Sequence, residues 1–176
     1  STVNFRYLHC HAVSSQNPQE FPTLPLPFTF CLTGKGSGVV ISSEGHIATL
    51  GHVVTTFPEQ ALGQNLQDSA LKPFSLGLIQ QLSPNTDPKA EFRNIQSNPN
   101  AAKALVKHTY ELLDQKRLTV TDQGHKIYVN LGKFAFTSDS SKGYLNSIIP
   151  QEGIFEAEVI EADAPNFYSL NAVLRN

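Results

Sequence analysis

Residues 36 to 54, Gly-Ser-Gly-Val-Val-Ile-Ser-Ser-Glu-Gly-His-Ile-Ala-Thr-Leu-Gly-His-Val-Val, read as a β-hairpin that carries one histidine, His52, to the end of a strand. Gly38 to Ile41 is apolar and β-branched, as a buried strand requires, and His46 to Leu50 resumes the pattern after a short break. The break, Ser42-Ser43-Glu44-Gly45, is a turn signal: serine hydroxyls bond local backbone and glycine supplies a positive φ for a tight reversal. Gly36 and Gly38 lie where a missing Cβ lets another strand or a ligand approach closely. Around His52 the only polar near neighbours in sequence are Thr49, Thr55 and Thr56.

The chain has 176 residues, enough for one domain, or one domain plus an appendage, with a substantial core. Forty per cent of residues are hydrophobic and 16% charged, which suits a soluble globular protein. No stretch approaches the roughly 20 apolar residues of a membrane span. A formal charge of -2 and the lack of a basic run argue against a nucleic-acid surface. Methionine is absent and the chain begins at Ser1, which reads as removal of an initiator, a signal peptide or a longer N-terminal part.

Texture changes along the chain divide it into residues 1–57, 58–122 and 123–176. Residues 5 to 13 alternate as a first strand, and the proline-rich stretch 17 to 28 is expected to be an extended loop. Pro58 to Leu62 opens a short helix, while Leu76 to Leu82 is an apolar patch of undecided type. Asn98-Pro99 is a helix start, with asparagine as cap and proline in the first turn, so a helix is expected over 99–117. Strands are expected at 126–130, 133–137, 144–149, 154–161 and 170–174. The fold class is therefore mainly β with a helical insertion.

The hairpin resembles the first barrel of trypsin-fold serine proteases, most closely their HtrA/DegP branch. The matching elements are Gly36-Ser37-Gly38, the turn Ser42 to Gly45, Ile47-Ala48-Thr49 and His52-Val53-Val54. The resemblance implies a trypsin-like antiparallel β-barrel in which His52 is the general base that takes a serine's proton and passes it to the leaving amine. A second match is Phe155-Glu156-Ala157-Glu158-Val159 followed by Asp163, and then Ala172-Val173-Leu174-Arg175. The family's catalytic aspartate stands two residues before that alanine, and here the position holds Leu170, followed by Asn171. Leucine can neither fix an imidazole tautomer nor stabilise its cation. Asp163, or Asn171, is left to orient the ring.

The resemblance implies a nucleophile in a glycine-x-serine-glycine motif of a second, C-terminal barrel that is expected beyond this chain. Within it the nearest look-alike is Ser140 in Ser138-Asp139-Ser140-Ser141-Lys142-Gly143, which lacks the glycines of an oxyanion hole. Cys10 and Cys31, the only cysteines, fit one disulfide clamping the N-terminal segment to the first barrel strand, or else two buried free thiols. His9-Cys10-His11 lacks a nearby fourth ligand, so no metal is expected, and strand alternation puts His9 and His11 on one face. The expected function is the N-terminal barrel portion of a serine endopeptidase acting on proteins or peptides, without a cofactor, in the periplasm or outside the cell. The alternative is a catalytically inactive pseudoprotease, a binding module whose helical insertion carries the partner surface.

Overall fold

The computed structural model describes residues 2–41, 43, 46–50, 57–130, 154–164 and 167–172. Six strands form a closed barrel: β1 (Thr2–Ser14), β2 (Phe28–Val40), β3 (His46–Leu50), β4 (Thr119–Asn130), β5 (Ile154–Ala164) and β6 (Phe167–Ala172). Their order around it is β1-β2-β3-β6-β5-β4. The pairs β2–β3, β3–β6, β4–β5 and β5–β6 are antiparallel. Four helices fall between β3 and β4: α1 (Pro58–Gly63), α2 (Lys72–Leu82), α3 (Pro88–Ser97) and α4 (Lys103–Asp114). The architecture is thus β-sheet plus helix.

By internal contacts the chain forms two compact units. The first comprises Ser1–Cys10, Cys31–Thr56 and Gln123–Asn176; the second comprises His11–Phe30 and Phe57–Asp122. In the first unit, alternation along β1 sends Val3 and Phe5 inward, where they pack with Ile47, Ile127 and Val129, flanked by Tyr7 and Val40. Burying each of these large side chains contributes about 1.5–3 kcal/mol. A disulfide joins Cys10 to Cys31 across 21 residues, so the free-thiol alternative is set aside.

In the second unit, helices are bounded by side chains their sequence supplies. The Asp87 carboxylate accepts from the Lys89 backbone N–H at 3.2 Å, and Pro88 occupies the first turn of α3. Phe74, Leu78, Ile95 and Leu112 bury completely or nearly so, together with Phe21, Phe30, Leu62, Leu66 and Leu71. Thr23 ties the proline-rich loop to α2: its hydroxyl donates to the Gly77 carbonyl at 2.8 Å. A Cβ on Gly77 would run into the Thr23 carbonyl oxygen, so the contact requires glycine.

Several element boundaries depart from expectation. The helix expected over 99–117 is a 3-10 turn at Pro99–Ala102 followed by α4, which stops at Asp114. The Asn98 side chain does cap, accepting from the Asn100 N–H at 3.2 Å, but it closes a tight turn rather than an α-helical one. At the other end Lys116 adopts φ 58°, and the N–H groups of Arg117 and Leu118 both reach back to the Leu112 carbonyl. The patch Leu76–Leu82 proves helical, within α2, and α3 had no counterpart in the sequence reading. The proline-rich loop contains a 3-10 turn at Pro18–Glu20 and buries Phe21 and Leu24. The expected strands 133–137 and 144–149 lie outside the described residues.

Candidate functional site

The two expected strands pair antiparallel, but Val39 and Ile41 stay 49% and 57% exposed where a buried strand was expected. Val39 pairs with Ala48 and Val40 with Ile47, and the Ile41 N–H donates to the His46 carbonyl at 2.8 Å. Gly38 has a definite reason to be glycine. A Cβ there would stand 2.7 Å from the Ala48 carbonyl oxygen and 2.7 Å from Phe5 Cζ, closer than side chains tolerate. Thr49 is buried, and its hydroxyl donates to the Ser37 carbonyl at 2.9 Å, tying the end of β3 to β2. That hydrogen bond was not foreseen from the sequence, although threonine alone among buried strand residues at this end carries a donor.

β3 ends at Leu50, and His52 stands two residues further on, outside the described residues. Ser140 is outside them too. Asp163 is on β5, and the backbone register locates it. β3 pairs with β6 through Thr49 opposite Tyr168 and Leu50 opposite Phe167. β6 pairs in turn with β5 through Tyr168 opposite Ala162 and Phe167 opposite Ala164. Two residues advance on β5 for one on β6, so Asp163 is the extra residue of a β-bulge. It lies level with the last two residues of β3, two strand spacings away, roughly 10 Å between backbones. A second register shift falls between Val159 and Glu161. Bulges re-aim the bulged residue and gather at barrel rims and beside active sites.

The same register separates the other two candidates from that end. Leu170 pairs with the fully buried Ile47, the second residue of β3, and Asn171 pairs with His46 at its start. Asn171 is thus four residues along β3 from Leu50, roughly 13 Å at the rise of a strand. In the His9-Cys10-His11 run both imidazoles are buried, as is Cys10 between them. The His9 ring stacks on His125 with centroids 5.8 Å apart, and the His11 Nδ1 stands 4.0 Å from an Asp122 carboxylate oxygen. Burial holds the His11 pKa below its ordinary value, and Asp122 partly offsets that fall. Cys10 is committed to its disulfide and is no thiolate ligand. Among the described residues no three His, Cys, Asp or Glu side chains converge as a metal set.

Helices bring a different feature together in the second unit. α2, α3 and α4 enclose a groove of about 210 Å³ that sequence reading did not anticipate, because its wall is assembled from three separate apolar faces. Among the described residues, then, the strands form a closed barrel, and the helices lie in sequence between β3 and β4. The chain matches no protein-family model, no curated protein and no solved structure. Among the described residues no helix is long and apolar enough to cross a membrane.

Proposed function

We propose that this chain is the histidine-bearing barrel of a trypsin-type serine endopeptidase, with His52 as general base and Asp163 as the acid that orients it. The observation that carries the reading is the β3–β6–β5 register, which puts the Asp163 bulge level with the end of β3 from which residue 52 follows. The aspartate would act from β5, at the rim, instead of from the family's position at residue 170. Chemistry would be acyl transfer. A serine from a second barrel attacks a peptide carbonyl, His52 takes its proton and later delivers it to the leaving amine, and Asp163 holds the imidazole in the productive tautomer. Substrates would be proteins or peptides. The Cys10–Cys31 disulfide favours an oxidising compartment, the cell envelope or the exterior.

A second reading, an inactive barrel that binds partners through its helical part, draws on Leu170 and on the groove between α2, α3 and α4. A fluorophosphonate probe separates the two in the protein that carries residues 1–176 together with its second barrel. The protease reading predicts labelling of one serine, lost in His52→Ala. No labelling of the wild-type protein would leave the binding reading standing.

A further inference from the structure

We infer that the groove of the helical unit is a docking pocket for a polypeptide segment that presents an aliphatic side chain next to a lysine or arginine. Its floor is Ile79 of α2, Ile95 of α3 and Leu105 of α4, all buried. Its mouth is marked by Leu82, at the last turn of α2, which keeps 42% of its surface exposed. Leu82 thus continues the apolar floor out to the solvent edge of the groove. At about 210 Å³ the space is below the roughly 300 Å³ where small-molecule sites begin. It suits one leucine- or isoleucine-sized anchor of a larger partner, the kind of pocket on which interface affinity concentrates.

Charge selects the neighbour of that anchor. Of the residues lining the groove, Glu91 is the one that carries a charge. Its carboxylate meets the Asn94 amide at 3.4 Å, a long contact that leaves most of its accepting capacity available. Glu91 and Ile95, one turn apart, share the side of α3 that lines the groove. Lys89 and Arg93, two residues away from Glu91 in either direction, fall on the opposite side. α4 contributes Ala104 and Leu105 to the wall and no charged side chain. The groove is therefore apolar at its base with one carboxylate, Glu91, in its wall, complementary to an aliphatic residue flanked by a cation.

This inference stands independently of His52. Its test is a fluorescence-anisotropy titration of the whole chain with a fluorescein-labelled peptide alternating leucine and arginine. The matched leucine–glutamate and alanine–arginine peptides serve as comparisons. Saturable binding of the leucine–arginine peptide is expected, about tenfold tighter than either comparison. Ala104→Trp, a substitution at an exposed position that fills the groove, is expected to weaken binding by about tenfold, and Glu91→Lys to erase the preference for arginine over glutamate. Amide shift mapping on the unmutated protein is expected to centre on Ile79, Leu82, Ile95 and Leu105, which keeps the test valid should a variant misfold. His52→Ala is expected to bind as the wild type does. Absence of saturation, equal binding of all three peptides, or shifts centred elsewhere would overturn the proposal.

Discussion

Lys116 is held at φ 58°, where a Cβ crowds the following carbonyl and glycine does not. The position closes α4, and beyond it the N–H groups of Arg117 and Leu118 both donate to the Leu112 carbonyl. Lys116→Gly should therefore stabilise the protein by about 1 kcal/mol, measured by urea denaturation at constant m. His11 acts in the opposite sense. Its pKa in the fold lies below the 6.5 of a free imidazole, chiefly through burial, so the unfolded chain takes up a proton that the folded one resists. Stability is full above about pH 6.5 and falls as pH drops from there toward the folded pKa. His108, whose pKa is lowered first by burial, adds to the same slope. A thermal midpoint that declines between about pH 7 and pH 5, less steeply in His11→Gln, is the expected outcome.

At the scale of elements, the hairpin was legible because each of its signals is local. Glycines at a close approach, β-branched strand residues and a serine-glycine turn all sit within a few positions of one another. α3 was not legible. Asp87-Pro88 is a start signal of the same kind as Asn98-Pro99, but the buried apolar face that follows is only Phe92 and Ile95, too narrow a stripe to stand out. α2 was blurred by Gly77, which weakens a helical pattern. The glycine is there for a tertiary reason, the passage of the Thr23 carbonyl, and nothing local encodes that. Gly77→Ala gains helix propensity but meets backbone, so it is expected to destabilise the protein by about 2 kcal/mol despite the better helix former. Unchanged stability on chemical denaturation would mean that the loop carrying Thr23 yields easily.

At the scale of the molecule, the candidate site depends on adjacency that sequence spacing cannot express. Under the proposed reading, sequence position alone would put Leu170 at the place of the acid and Asp163 too early. The closed order β1-β2-β3-β6-β5-β4 changes that relation, because it sets β6 beside β3 and β5 beside β6. A bulge then makes Asp163 the extra residue at the level of Thr49 and Leu50, while Asn171 falls at the far end of β3. In the proposed protease, Asp163 orients His52. Its test is kcat/KM for peptide hydrolysis, measured with residues 1–176 joined to the nucleophile-bearing barrel that the proposal calls for. Asp163→Asn should lower kcat/KM by about 10⁴-fold, the effect of a wrong imidazole tautomer, with KM little changed. Asn171→Ala should stay within about threefold of wild type, since it lies outside the site. Activity retained in Asp163→Asn, or lost in Asn171→Ala with the fold intact, would contradict the account.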